Sequence, residues 1–120
     1  MHPTRMDQFP LWATVWTPEL RGDEANLPSE IVWAVLDCPA GWATMDSQRP
    51  QRSFFPALAD MTAEIVHPIP LGRPVAVLGW MTSDGERRIE CESAVIDESG
   101  TVLARASLSQ AAVQADWGVV

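Results

Sequence analysis

Six apolar residues in a row, Ile31-Val32-Trp33-Ala34-Val35-Leu36, run straight into an acid, Asp37, and then into Cys38-Pro39-Ala40-Gly41-Trp42. Ser29 is suited to cap a helix here, because Pro28 precedes it and Glu30 supplies a first-turn acid. The pattern predicts a helix from Ser29 to about Cys38. Pro39 has no N–H to donate and crowds the preceding turn, so it should end or kink the helix, with 40–43 as a second short helical piece. A helix that is apolar on every side should be buried on every side. A carboxylate at the end of such a rod is costly to bury unless it is paired, hydrated or used. What Asp37 does there is the question that the sequence poses.

The rest of the chain supplies partners for this helix. Leu11–Trp16 is rich in β-prone residues and is stopped by Thr17-Pro18, which predicts a short strand. Residues 18–28 hold Pro18, Gly22, Asp23, Asn26 and Pro28 and read as a loop, as does the polar stretch 46–53. Four further strands are predicted: Met61–His67, Val75–Thr82, Arg87–Asp97 and Thr101–Val113. Asp84-Gly85 marks the turn of one hairpin and Glu98-Ser99-Gly100 that of another. In the fourth strand of the chain Ile89, Cys91, Ser93 and Val95 alternate with Arg88, Glu90 and Glu92, so one face is apolar and the other charged. The order is strand, long helix, then antiparallel strands, an α+β arrangement of one helix on one sheet. One sheet covers only one side of a helix. A helix that is apolar all round needs a second cover, and another copy of the chain supplies it, which predicts a two-fold homodimer.

Composition narrows the function. With 120 residues the chain has room for one domain, 1–120. Its net charge is −8, from 16 acidic and 8 basic residues, and every basic residue is arginine. An acidic surface argues against nucleic-acid binding. The lack of lysine excludes Schiff-base chemistry and lysine-bearing phosphate loops. No apolar run approaches the ~18 residues that span a bilayer, and the N-terminal residues have no apolar core like that of a signal peptide. A soluble cytoplasmic protein is the expectation, with no membrane partner. Cys38 and Cys91 match no metal spacing and read as two buried free thiols; with only His2 and His67 besides, no metal site is expected.

Three segments together resemble the hotdog fold, and within it the PaaI-type acyl-CoA thioesterases and their relatives. Leu36-Asp37-Cys38-Pro39-Ala40-Gly41-Trp42-Ala43 is similar to a Leu-Asp-Cys-Pro-Gly-Gly-Trp-Ala pattern of one hotdog subgroup. Met61–Gly72 resembles the hotdog strand that ends in Pro-Val-Pro-x-Gly. Asp97–Ala106 resembles the turn between the two long terminal strands. The resemblance spans about residues 12–113. It implies a long central helix wrapped by a curved antiparallel sheet, protomers paired through the sheet edge as a dimer or tetramer, and an acyl-CoA site at the dimer interface. It implies no cofactor, coenzyme A being part of the substrate.

In the PaaI-type enzymes the helix opens with His-Gly-Gly and carries a catalytic Asp nine residues after the His. By that resemblance the acid falls on Asp37, while the opening falls on Pro28, Ser29 and Glu30, which depart from the motif. The backbone N–H of Ser29 can still polarise a thioester carbonyl at a helix N-terminus, and Asp37 can activate water or attack. The two lie about 12 Å apart along the axis, so one carbonyl can use both only if they come from different protomers. Asp37 could instead cap the N–H groups around Cys38–Gly41 where Pro39 interrupts the helix. Glu30 is a second candidate acid on the same face, or a first-turn acid favoured by the helix dipole. Trp33, Trp42, Phe54 and Phe55 are candidates to line an acyl pocket, or are core. Arg49 and Arg52 are candidates for coenzyme A phosphates, or are solvated surface. A hydrolase of acyl thioesters is the first functional expectation. A non-catalytic module that binds acyl-CoA or another lipid-like ligand is the second. A dehydratase or hydratase of the same fold fits less well, because no histidine lies in or beside the helix.

Overall fold

A computed structural model describes residues 10–20, 22–47 and 54–114, the side chains of 54, 55 and 114 aside. Its elements are β1 (Leu11–Trp16), α1 (Ser29–Ala43), a short 3-10 turn (Thr44–Asp46), β2 (Phe54–Ile65), β3 (Val75–Asp84), β4 (Arg88–Ile96) and β5 (Val102–Gln114). The five strands form one sheet in the order β1-β3-β4-β5-β2, and every pairing is antiparallel. The helix lies across one face, mainly over β3 and β4.

Alternation decides which residues meet the helix. Val75, Val77 and Met81 of β3, Ile89, Cys91 and Val95 of β4, and Ala104, Ala106 and Leu108 of β5 point inward and are buried. From the helix, Val32, Leu36, Pro39, Ala40 and Ala43 meet them. Each Val, Leu, Ile or Met so covered contributes ~1.5–3 kcal/mol, and each Ala less. Two side-chain bonds tie the helix end to the sheet. Trp12 Nε1 donates to Asp46 Oδ2 at 2.7 Å, and Ser47 Oγ donates to Asp84 Oδ1 at 2.9 Å.

Several expectations change. The helix is a single element that passes through Pro39. Pro39 has no N–H for the Val35 carbonyl, but it is buried in direct contact with Gly79 of β3. A Cβ at residue 79 would fall 2.4 Å from the Pro39 carbonyl, so only glycine lets the helix sit this close. Pro28, at φ −60° and ψ 148°, is the N-cap and Ser29 is the first helical residue. β2 starts at Phe54, seven residues before the predicted Met61, because its long pairing with β5 begins at Phe54–Gln114. Cys38 is exposed and only Cys91 is buried, since residue 38 falls on the helix side away from the sheet. The helix is not buried all round within one chain: Ile31, Trp33 and Trp42 are 39%, 42% and 43% exposed.

Candidate functional site

The N-terminus of α1 is set by the segment that resembled the hotdog strand end. Leu27 N donates to Ile69 O at 2.8 Å, Leu71 N to Ala25 O at 3.0 Å and Gly72 N to Pro18 O at 2.7 Å. Ile69 is fully buried and Asn26 bridges to Pro70. Gly72 takes φ +81°, a conformation that glycine adopts without strain. The Pro68–Gly72 stretch thus holds the residues that lead into the helix.

At the helix start the Pro28 carbonyl accepts from the N–H groups of Ile31 and Val32, both at 3.1 Å. No side chain caps the end. The N–H groups of Ser29 and Glu30 precede the first intrahelical bonds and make no hydrogen bond among the described residues. They form a small positive end with the helix dipole behind it.

The 100° advance per residue sorts the helix side chains. Glu30, Trp33 and Asp37 fall within an arc of about 60° on one flank. Ile31, Val35 and Trp42 fall on the opposite flank, and Ala34 and Cys38 on the side away from the sheet. Asp37 is half-buried, Trp33 and Glu30 are exposed. The Asp37 carboxylate makes no hydrogen bond or ion pair among the described residues. The capping role has no place, because the backbone N–H groups beyond Asp37 belong to a continuous helix. The helix carries these two carboxylates and no basic residue.

Of the sequence candidates, the fold therefore brings Glu30, Trp33 and Asp37 together and leaves Trp42 on the other flank. Phe54 and Phe55 open β2, paired with Gln114 and Val113 of β5. Arg49 and Arg52 lie outside the described residues. Glu64 is on the sheet face away from the helix, where it receives Arg105 Nε and Nη2 at 3.0 and 2.8 Å. Cys91 is buried and its thiol stays protonated at neutral pH. Burial first, then the neighbouring Glu90 and Asp46 charges, push its thiol from 9.0 up to about 12.

Beside the helix lies the edge strand β2. Among the described residues it pairs with β5 on one side only. Leu58 and Ile65, which point to the helix side of the sheet, are 47% and 40% exposed. Sequence reading passed over two positioning features: Gly79, whose signal was a lone glycine inside an apolar strand run, and the tie from Trp12 to Asp46, which had none.

No family model matches the sequence, and no curated protein matches it. Solved structures do match in fold. A candidate thioesterase, yhdA of Lactococcus lactis, has a TM-score of 0.77 at 17% identity, covering 91% of this chain and 87% of that one. The smu.793 protein of Streptococcus mutans, solved bound to acetyl CoA, has a TM-score of 0.71 at 11% identity, covering 88% and 82%. The PaaI protein of E. coli, from the phenylacetic acid degradation operon, has a TM-score of 0.69 at 8% identity, covering 88% and 72%. The fold is the hotdog fold of thioesterase-superfamily structures, as the resemblance implied. No helix among the described residues is long and apolar enough to cross a membrane.

Proposed function

We propose that the chain is an acyl-thioester hydrolase that acts on an acyl-CoA as a homodimer joined through β2. The observation that carries this is Asp37: a half-buried carboxylate without a partner among the described residues, on a helix flank it shares with the exposed Trp33. A long bare edge strand invites pairing with another chain, and Leu58 and Ile65 would lose exposure when two β2 strands meet. In such a dimer the Asp37 flank of one helix and the Ser29 end of the other can serve one substrate.

Asp37 takes a proton from water, whose oxygen attacks the thioester carbonyl carbon. The Ser29 N–H from the partner protomer holds the carbonyl oxygen as charge develops on it. Collapse breaks the C–S bond, and the proton on Asp37 passes to the leaving thiolate. Trp33 offers an apolar wall to the acyl group. Glu30 lies on the same flank and acts, on this reading, as a first-turn acid. Arg49 and Arg52, close after the helix in sequence, are the proposed phosphate contacts. Free thiols suit a reducing compartment such as the cytoplasm.

A second reading, a module that binds acyl-CoA without turnover, is favoured by Ser29 and Glu30, whose side chains stand where the PaaI-type motif has glycines. Assay of the purified protein on a panel of acyl-CoAs decides. Hydrolysis that Asp37→Asn abolishes supports catalysis. No hydrolysis, or hydrolysis that Asp37→Asn leaves unchanged, overturns it. Ligand-induced thermal stabilisation without turnover supports the binding module.

A further inference from the structure

The Asp37 flank of the helix is acidic around an exposed indole. Trp33 stands three residues after Glu30 and four before Asp37. On a helix face these spacings set neighbouring Cβ atoms about 5–6 Å apart. Neither carboxylate has a hydrogen bond or ion pair among the described residues. Gly41 follows Asp37 by about one turn, and a Cβ there would meet nothing within 4 Å, so the space beside the acid is open.

No described basic residue pairs with these charges. The helix has no arginine, lysine or histidine. Arg73, Arg87, Arg88 and Arg105, the arginines among the described residues, belong to the sheet or to the loops that join its strands. Arg105 pairs with Glu64, Arg73 with Glu98, and Arg88 donates to Ser109. An indole face attracts a cation that comes within about 6 Å of the ring, more strongly where water is excluded. A carboxylate on each side adds direct charge attraction. The helix dipole opposes a cation at this end with about half a unit of positive charge, against a full negative charge on each acid. The balance favours a cation.

We propose that the acyl group selected by this flank carries a cationic amine, held over Trp33 with Glu30 as its counter-ion. The proposal rests on the reading of the Asp37 flank as an acyl-thioester site and adds the class of acyl group. Asp37 keeps its place beside the thioester carbonyl. Trp33 lies about 6 Å from it along the axis, toward the helix N-terminus and Glu30. A cation about four bonds from the carbonyl carbon spans that step. A quaternary ammonium suits the position best, because it has no proton to lose and its methyl groups pack on the indole. Glu30 then sets specificity as well as serving as a first-turn acid. A neutral chain of the same shape would cover the Glu30 carboxylate without pairing it, which is costly.

The test uses the full chain and two acyl-CoAs of one shape: γ-trimethylammoniobutyryl-CoA, and its uncharged isostere in which carbon replaces the nitrogen. Hydrolysis gives kcat/KM for each. Calorimetry gives the affinity of their thioether analogues, which cannot be hydrolysed. We expect the cation to be preferred about tenfold or more by both measures. Glu30→Gln and Trp33→Leu should each remove most of that preference, with circular dichroism melts to show that both variants fold. Hydrolysis of both thioesters with equal efficiency overturns the proposal and leaves the hydrolase reading standing. A cation preference in binding without any hydrolysis sinks the hydrolase reading and upholds the cation site. Equal binding of the two analogues, binding of neither, or a preference that survives both substitutions overturns the proposal.

Discussion

Gly79 of β3 lies directly under Pro39 of α1, so close that a Cβ on residue 79 would sit 2.4 Å from the Pro39 carbonyl. Glycine here sets the height of the helix above the sheet, and with it the height of the Asp37 flank. Gly79→Ala must push the helix away or distort it. We expect a loss of about 1–3 kcal/mol in denaturant unfolding, the usual cost of overpacking a core. Gly41, also in the helix but with open space around it, is the control: Gly41→Ala should gain up to about 1 kcal/mol from backbone entropy.

Ser93, across from Gly79 in the register, has a buried hydroxyl with no hydrogen-bond partner among the described residues. Ser93→Ala should therefore leave stability unchanged or raise it, by about 1 kcal/mol in the same unfolding experiment. A loss of comparable size would mean that the hydroxyl has a partner.

The bond from Trp12 Nε1 to Asp46 ties β1 to the helix end. Trp12→Phe keeps most of the ring and removes the donor, leaving a carboxylate short of a partner. We expect a cost of about 1–3 kcal/mol by chemical denaturation. Asp46→Asn, which keeps an acceptor, should cost less.

Alkaline pH should destabilise the fold through Cys91. Its thiol is raised from 9.0 to about 12 in the folded chain by burial and by the charges of Glu90 and Asp46. Between these values the unfolded chain has lost the thiol proton and the folded chain keeps it. Stability then falls as pH rises, by at most about 1.4 kcal/mol per pH unit. The sequence contains no tyrosine and no lysine to titrate in the same range. Unfolding measured from pH 8 to 11 should show the slope, and Cys91→Ala should flatten it.

On the proposed acyl-CoA hydrolysis, the two flanks of the helix should separate in kinetics. Trp33→Ala, on the Asp37 flank, should raise KM several-fold with kcat little changed. Trp42→Ala, on the other flank, should alter neither. Asp37→Asn should lower kcat by about 10²–10⁴-fold, the worth of a positioned general base. Equal effects at both tryptophans would contradict the flank assignment.

Much of this fold was legible in the linear order of residues. Leu11–Trp16 formed as predicted, and the Ile89-Cys91-Ser93-Val95 face turned inward, because alternation and turn chemistry are local properties. The start of β2 is not legible in this way. Residues 54–60 include Pro56 and Asp60, which are poor strand formers, and they are held in the sheet by pairing with β5. The passage of the helix through Pro39 is illegible for a related reason. Its missing hydrogen bond is local, but its burial against Gly79 comes from a strand forty residues away.

By itself the sequence determined the class of fold, one apolar helix on an antiparallel sheet, and singled out Asp37 as an acid in an apolar setting. Periodicity and residue type are enough for that. Tertiary structure decided which side of the helix the sheet covers: it buries Val32, Leu36, Pro39, Ala40 and Ala43 and leaves the flank shared by Glu30, Trp33 and Asp37 uncovered. The sheet buries only one side of the helix, and which residues lie on the remaining flanks depends on how the helix is rotated against β3. Contacts such as Pro39 on Gly79 set that rotation, and no window of neighbouring residues contains them.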